Sequence, residues 1–186
     1  MRVISGKFRG KKLNPPKDKF TRPLRDLVKE SIFNVIEHSN KINIDLKGSY
    51  VLDLFSGSGS FGLEAISRGA EECIFVENYK NVFEVLKSNI KILKCEKFCK
   101  SNNLDCFNFI ENLQNEKLKI DIIFLDPPYK EKKINLLIEK ILCKNILKKN
   151  GLIIIHRHKK DDLKLTDKLE IIDLRLYGIS KIIFAN

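Results

Sequence analysis

The hydrophobic residues after Gly48 occur in short runs that alternate with longer amphipathic segments. The short runs are rich in β-branched residues and match buried strands, whereas the longer segments carry apolar residues at helical spacing. This alternation is typical of βαβ units and a mainly parallel sheet. The predicted strands lie near 50–55, 72–76, 96–101, 119–125, 150–156, 168–176 and 180–185. The predicted helices lie near 60–68, 79–93, 103–113 and 131–146.

The last two predicted strands are separated only by Tyr177, Gly178 and their neighbours. This connection is too short for a helical crossover, so the two strands should pair antiparallel. The pattern therefore predicts an α/β fold with a doubly wound, mostly parallel seven-stranded sheet and a terminal antiparallel hairpin. This layout resembles that of the Rossmann-like class I methyltransferases.

The first 45 residues differ in character from the rest of the chain. RVISGKFRGKKL predicts a small hairpin, PPKDKFTRP predicts a loop, and LRDLVKESIFNVIEH has helical periodicity. We expect residues 1–45 to form an N-terminal extension of the same compact unit and residues 46–186 to form the main domain. A chain of 186 residues, 43% of them hydrophobic, is sufficient for one such unit.

Basic residues outnumber acidic ones by 35 to 24, which gives a net charge of +11. This excess favours a polyanionic partner such as nucleic acid, although a coding bias toward Lys, Ile and Asn would produce the same composition. The basic residues concentrate in the N-terminal extension around Phe8 and Phe20. A charge run is usually a solvated face, but here it precedes a cofactor-type domain and favours an RNA-contacting arm. The candidate substrate-binding residues are Arg2, Lys7, Arg9, Lys11, Lys12, Arg22 and Arg25.

The five cysteines form no C-x-x-C pair. Neither a disulfide framework nor a common zinc motif is therefore expected, and no metal site is predicted. The opening MRVISGKFRGKK has no apolar signal-like segment, and the longest uncharged apolar runs are too short to span a bilayer. We expect a cytoplasmic protein with reduced thiols.

The stretch VLDLFSGSGSFG contains a G-x-G-x-x-G array that begins at Gly57. Such an array can receive the pyrophosphate of a nicotinamide dinucleotide. Here, however, the apolar run closes at Asp53, before the first glycine is reached. The resulting D-x-F-x-G-x-G loop, which includes Phe55, resembles motif I of the methyltransferases that use S-adenosylmethionine.

For a methyl donor, Asp53 can accept hydrogen bonds from the ammonium end, directly or through water. Gly57 and Gly59 let the backbone pass close to the ligand. Glu77 ends the second predicted strand and can accept from both ribose hydroxyls of an adenosine. Because both kinds of ligand carry such a ribose, Glu77 does not discriminate between them.

The stretch IDIIFLDPPYK places Asp126, Pro127, Pro128 and Tyr129 after a buried-type strand, at the mouth of the predicted sheet. The exocyclic amine of a nucleobase is a poor nucleophile because its lone pair is delocalised into the ring. The Asp126 carboxylate and the Pro127 carbonyl can accept its two N–H bonds, and the carboxylate favours positive charge on the nitrogen. The prolines restrict the backbone, and Tyr129 offers a face for a flipped base. D-P-P-Y alone can be a simple turn, but together with the glycine loop it predicts four catalytic residues.

These segments together resemble the bacterial 16S ribosomal RNA guanine-N2 methyltransferases nearly end to end. The opening R-x-I-S-G-x-x-R-G and the later R-P-x-x-D-x-V-K-E are the most specific segments. The resemblance implies S-adenosylmethionine as cofactor, 16S rRNA of the small ribosomal subunit or its precursor as partner, and a monomer. It also implies that Arg22, Pro23 and Asp26 shape the mouth of the active site.

The resemblance further implies an acidic residue after the third strand. Asp105 matches it or Asn103 replaces it, and either can bond the adenine amino group. The fifth predicted strand ends in His156 and Arg157, where an acidic residue is expected. The His-x-His pair beside Arg157 is interpreted as positive surface rather than as metal ligands.

The sequence thus predicts methyl transfer from S-adenosylmethionine to the exocyclic N2 of a guanine in 16S rRNA. One alternative is an adenine-N6 DNA or RNA methyltransferase, because D-P-P-Y serves any planar exocyclic amine. Another is a non-catalytic RNA-binding ribosome assembly factor. The N-terminal arm argues against the first, and the retained Asp126, Pro127 and Tyr129 argue against the second. A nicotinamide oxidoreductase is the least favoured interpretation.

Overall fold

The computed structural model describes residues 1–16, 24–114, 118–162 and 164–186. The strands are β1 Tyr50–Leu54, β2 Glu72–Val76, β3 Cys99–Asn102, β4 Ile120–Leu125, β5 Leu147–His158, β6 Ile171–Tyr177 and β7 Ser180–Ala185. The α-helices are α1 Asp26–His38, α2 Ser60–Ser67, α3 Lys80–Leu93, α4 Cys106–Glu111 and α5 Ile134–Cys143. Within the described ranges, no helix is long and apolar enough to cross a membrane.

The described strands form a single seven-stranded sheet in the order β3-β2-β1-β4-β5-β7-β6. Strands β1 to β5 are mutually parallel where they pair. β7 is antiparallel to both β5 and β6. The predicted parallel sheet and its terminal antiparallel hairpin are therefore confirmed. β1 lies between β2 and β4, so the strand order reverses beside it, and a crevice opens at the carboxyl ends of these strands.

Helices cover both faces of the sheet, which explains why its central strands read as continuous apolar runs. Successive residues of β1 point to opposite faces, so Val51 belongs to one hydrophobic cluster and Leu52 to the other. The first cluster contains the apolar residues of α1, α2 and α3. The second contains those of α4 and α5. The two clusters hold the ends of β1 and β4 in a rigid frame.

The element boundaries differ from the predicted ones mainly at short turns. Residues Glu96–Phe98 form a 3-10 turn before β3 instead of the start of the strand. Helix α4 begins at Cys106 because the Asp105 side chain caps it, accepting from the backbone N–H groups of Phe107 and Asn108. β5 extends beyond its predicted end to His158 because antiparallel pairing with β7 continues to that residue.

The N-terminal segment forms the predicted hairpin, with an antiparallel bridge between Arg2 and Lys12. The chain turns through a 3-10 segment at Gly6–Phe8. The hairpin lies along α2, because the Ser67 hydroxyl accepts from Phe8 N at 2.9 Å near the end of that helix. Helix α2 runs from the glycine loop toward the amino ends of the strands, so the hairpin tip lies away from the crevice.

A buried ion pair joins the hairpin to the helices beneath it. The Glu64 carboxylate accepts from Ile4 N at 2.8 Å and Ser5 N at 2.9 Å. The Lys29 ammonium lies 3.5 Å from the same carboxylate and donates to the Arg2 carbonyl at 2.8 Å. Burial lowers the pKa of Lys29, although the nearby carboxylates oppose this shift. The hairpin is thus fixed to the domain by hydrogen bonds from its backbone to the Glu64 carboxylate on α2.

Candidate active site

A cavity of about 1070 Å³ opens at the carboxyl ends of β1, β2 and β4. The loop after β1 contributes Phe55 and Gly57, and the loop after β2 contributes Glu77. Asp53 lies at its base and Asp126 follows β4. The parallel register brings these residues together, because the carboxyl ends of neighbouring strands meet at one edge of the sheet.

The loop between β1 and α2 turns sharply beside this cavity. Phe55, Gly57 and Gly59 have φ angles of 60°, 56° and 84°, all in the left-handed region. A Cβ on Gly59 would lie 2.4 Å from Leu86 Cδ1, so the close approach of α3 also requires glycine there. The third glycine of the array, Gly62, lies within α2 and lets that helix pack against β2.

Asp53 is a buried carboxylate with one oxygen lacking a partner. Its Oδ2 accepts from Gly62 N at 3.0 Å, whereas no described residue donates to Oδ1. Burial raises the pKa of Asp53 well above its ordinary value, and the Asp126 and Glu77 carboxylates add to this shift. A buried carboxylate of this kind is completed by a cationic or hydrogen-bond-donating group. The site therefore fits the ammonium end of an amino-acid ligand.

Glu77 joins the two loops that line this side of the cavity. Its Oε2 accepts from Gly57 N and its Oε1 accepts from Tyr79 N, both at 2.8 Å. The side chain therefore shapes the glycine loop in addition to facing the cavity. Sequence reasoning predicted only a contact with a ribose, because a bond between residues on two different loops leaves no local signal.

Asn103 and Asp105 occupy supporting positions next to this wall. The Asn103 amide donates to the carbonyls of Glu77 at 2.7 Å and Asn78 at 3.2 Å. Asp105 caps α4. The cavity lining contains Asn78 and Tyr79, but neither Asn103 nor Asp105. The adenine contact assigned to one of these two residues stays a prediction.

The Asp126 carboxylate is bonded to His156, which sequence reasoning interpreted as part of a positive surface. Asp126 Oδ1 lies 2.8 Å from His156 Nδ1, and His156 Nε2 lies 2.9 Å from Ser180 Oγ. All three residues line the cavity. Sequence reasoning missed Ser180, which lies on the last strand and belongs to no motif.

Arg157 holds the loop that follows Asp126. Its guanidinium donates to the carbonyls of Pro128, Tyr129 and Glu131, each at 3.1 Å. None of the described residues donates to the Pro127 carbonyl, and Pro127 lines the cavity. Arg157 is 3% exposed and His156 is 8% exposed. The interpretation of the His-x-His pair beside Arg157 as positive surface was therefore wrong for His156, because His156 is buried at the cavity wall and Arg157 is buried behind the D-P-P-Y loop.

Tyr129 lies half-buried in the cavity wall. Its ring contacts His158 edge to face, with centroids 5.2 Å apart and planes at 77°. His156 lies against it in the same way, at 6.4 Å and 80°. Packing against two imidazoles fixes the ring plane, as a stacking surface for a base requires.

The structure separates the predicted basic residues into two groups. Arg25 lines the cavity, and Arg2 lies nearby, with its Nε 3.8 Å from Asp26. Lys7 lies at the hairpin tip, where its ammonium is 5.5 Å from the centroid of the Phe98 ring at the opposite end of the sheet.

The remaining basic residues follow the same division. Lys12 lies opposite Arg2 in the antiparallel backbone bridge of the hairpin, whereas Arg9 and Lys11 follow the hairpin turn. Arg22 and Pro23, which the resemblance assigned to the mouth of the site, lie outside the described residues. The substrate-binding role of this set stays a prediction.

The sheet order, the glycine loop after β1 and the D-P-P-Y loop after β4 define a Rossmann-like class I methyltransferase domain. A family model described as conserved hypothetical protein 95 matches residues 1–186. The chain belongs to this family, and the resemblance predicted from its sequence is confirmed.

Named relatives and solved structures agree with this assignment. The ribosomal RNA small subunit methyltransferase D of Haemophilus influenzae is 35% identical over 184 residues, which cover 96% of this chain and 90% of the relative. The protein of the same name from Escherichia coli is 34% identical over 151 residues, which cover 81% and 68%. A solved Escherichia coli structure, provisionally described as a methyltransferase, has a TM-score of 0.82 at 25% identity and covers 100% of this chain and 96% of that one.

Proposed function

We propose that this protein transfers a methyl group from S-adenosylmethionine to the exocyclic N2 of a guanine in 16S rRNA of the small ribosomal subunit, in the cytoplasm. The observation that carries the proposal is the shared cavity. Asp53 and Glu77 line it, and so do Asp126 and Pro127. The first pair suits a methyl donor, and the second suits a planar amine.

The donor's site combines one carboxylate oxygen, Asp53 Oδ1, to which no described residue donates, with residues that shape the glycine loop. Asp53 Oδ1 accepts from the ammonium group, Glu77 accepts from the ribose hydroxyls, and Gly57 lets the backbone approach closely. When bound, S-adenosylmethionine supplies a methyl group activated by attachment to a sulfonium. No metal ion is required for this transfer.

The residues after β4 prepare the nucleophile. The Asp126 carboxylate and the Pro127 carbonyl accept one amine N–H each, which orients the nitrogen lone pair. The carboxylate stabilises the positive charge that develops on the nitrogen as the N–C bond forms and the bond from the methyl carbon to the donor sulfur breaks. It can also accept the proton that the nitrogen then loses. Tyr129 stacks on the base and keeps it in the cavity.

The choice of substrate rests on the relatives and on the charge near the cavity mouth. The relatives named above are ribosomal RNA small subunit methyltransferases. Arg25 and Arg2 place positive charge at the mouth, where an RNA backbone would pass. The guanine-N2 assignment follows the family resemblance of the N-terminal segments.

Replacement of Asp126 tests the proposal. Asp126→Ala should reduce methyl transfer by two or more orders of magnitude, which corresponds to roughly 3 kcal/mol or more of transition-state stabilisation. Asp126→Asn should have a smaller effect, because the amide keeps an acceptor oxygen. Donor affinity should persist in both variants, because its contacts lie around Asp53 and Glu77.

The assay is a single turnover with labelled donor and small ribosomal subunits from cells that lack the enzyme, followed by nucleoside analysis. Asp121→Ala is a matched control, because Asp121 lies at the other end of β4 and its side chain is 21% exposed, as is that of Asp126. The control should retain methyl transfer. Full activity in Asp126→Ala would refute the role of Asp126, and a methylated adenine would replace guanine as the target.

A further inference from the structure

Three polar side chains form a continuous row across the ends of three neighbouring strands. Asp126 follows β4, His156 lies in β5, and Ser180 begins β7. Leu125 pairs with Ile155 in the parallel register, so the residues that follow them, Asp126 and His156, are neighbours. His158 pairs with Ser180 across β5 and β7, which puts Ser180 diagonally opposite His156 on the same face of the sheet. The row exists only because β7 inserts next to β5.

The hydrogen-bond partners determine the proton on the His156 ring. An ionised carboxylate only accepts, so Nδ1 carries the proton that it donates to Asp126 Oδ1 over 2.8 Å. In the neutral ring, Nε2 then accepts from the Ser180 hydroxyl, which lies 2.9 Å away. In the charged ring, Nε2 donates to the same hydroxyl. Nδ1 is protonated in both cases, so the bond to Asp126 persists in either state.

The bond from His156 leaves the two oxygens of Asp126 with different surroundings. Oδ1 is occupied by the imidazole, and among the described residues none donates to Oδ2. The side chain is 21% exposed and lines the cavity. Arg157 holds backbone carbonyls of the following loop and makes no contact with the carboxylate. Orientation of the carboxylate therefore falls to His156.

We propose that His156 is a positioning residue for methyl transfer, which fixes the Asp126 carboxylate so that Oδ2 faces the substrate amine. Ser180 in turn fixes the plane of the imidazole through its bond to Nε2. The inference rests on the proposed function, in which Asp126 accepts an N–H of the amine. It assigns a role to His156, where the resemblance implies an acidic residue, and to Ser180, which belongs to no motif.

The same order of groups activates a serine nucleophile in hydrolases. Ser180 is 4% exposed and is buried behind the imidazole, so its hydroxyl serves as a partner of the ring. Here Ser180 orients His156 and His156 orients Asp126, and the Asp126 carboxylate is the group that contacts the substrate.

Substitutions at His156 separate positioning from packing. His156→Ala should lower the single-turnover rate of methyl transfer about ten- to a hundred-fold, because a carboxylate free to rotate loses the productive geometry. The affinity for donor and the KM for small subunits should stay unchanged. His156→Asn should restore most of the rate, because its amide nitrogen takes the place of Nδ1. His156→Gln should not restore it, because its longer chain brings the amide to the place of Nε2.

Ser180→Ala should give a smaller loss than His156→Ala, because Nδ1 still reaches Asp126. His38→Ala is the matched control, since His38 is exposed at the end of α1, and it should leave the rate unchanged. Equal rates for wild type and His156→Ala would overturn the inference, as would equal losses in the Asn and Gln variants.

Nitrogen NMR of the ring gives a test that does not depend on activity. The spectrum of the wild-type protein should show a protonated Nδ1 for His156, and a neutral ring protonated at Nε2 would overturn the inference. If the wild-type chain transfers no methyl group to small subunits, the proposed function fails, and the role of His156 in it fails as well. If the NMR spectrum then still shows a protonated Nδ1, the bond from His156 to Asp126 is present, and it is the proposed function that is wrong.

Discussion

Glu77 is predicted to act on donor binding in two ways, and its replacement by alanine removes both. The carboxylate has about four acceptor sites. The backbone N–H groups of Gly57 and Tyr79 take two of them at 2.8 Å. In Glu77→Ala the donor's ribose hydroxyls lose a charged acceptor, and the glycine loop loses its connection to the loop after β2.

The expected size of the effect follows from these bonds. Loss of hydrogen bonds to a charged acceptor weakens donor binding by roughly 1–3 kcal/mol. This corresponds to an increase in Kd of about 5- to 150-fold. Each amide left without an acceptor and shielded from water costs about 1–3 kcal/mol more in the free energy of unfolding. Glu77→Gln should lie between Glu77→Ala and the wild type, because its single carbonyl oxygen can satisfy one of the two amides.

Calorimetric titration with S-adenosylmethionine measures the change in Kd, and urea unfolding measures the change in stability. Glu72→Ala is the matched control, because Glu72 lies at the other end of β2 and pairs with Lys100 at 2.8 Å, away from the cavity. Its donor affinity should equal that of the wild type. A Glu77→Ala variant that binds the donor as tightly as the wild type would remove Glu77 from the binding site.

Two further predictions concern the base of the cavity and the N-terminal hairpin. Because the pKa of Asp53 is raised, the folded state binds its proton more tightly than the unfolded state does. Between the unfolded value of about 4 and the raised folded value, the free energy of unfolding of the donor-free protein should therefore fall as pH rises. Asp53→Asn should remove this contribution, and an identical pH slope in urea unfolding would contradict it. Gly6→Ala should destabilise the protein more than Gly10→Ala. Both residues have a left-handed backbone, with φ of 78° and 81°. Of the two, only Gly6 would bring a Cβ against a backbone atom, Ser67 O at 1.9 Å. The left-handed conformation costs about 1 kcal/mol at each site, and the clash should add about 1–3 kcal/mol at Gly6; equal losses in urea unfolding would show that the hairpin is not packed as described.

Local patterns in the sequence were sufficient for the order and type of the elements. Buried parallel strands read as β-branched runs and amphipathic helices repeat at helical spacing, so both signals lie within a few consecutive residues. The short connection at Gly178 was enough to predict the antiparallel end of the sheet. The glycine loop and D-P-P-Y could be recognised for the same reason, because each is a continuous stretch whose chemistry is visible in its own residues.

Only the tertiary structure decided which side chains support those motifs. Asp126 and His156 are separated by 30 residues, and His156 and Ser180 by 24, so their bonds depend on strand order and register. The burial of Arg157 also could not be read from the sequence: its neighbour Asp161 accepts from Nε at 2.7 Å, but its other partners are backbone carbonyls of a distant loop.

The positions of the basic residues in the N-terminal arm were also decided by the tertiary structure. Its residues are close in sequence, yet the hairpin carries Lys7 to the amino ends of the strands while Arg25 lines the cavity. Proximity along the chain determines local conformation, whereas the direction in which a segment packs on α2 determines where its charges lie. The sequence by itself therefore determined the elements and the reacting motifs, and the packing of those elements decided the hydrogen bonds and charges that surround the site.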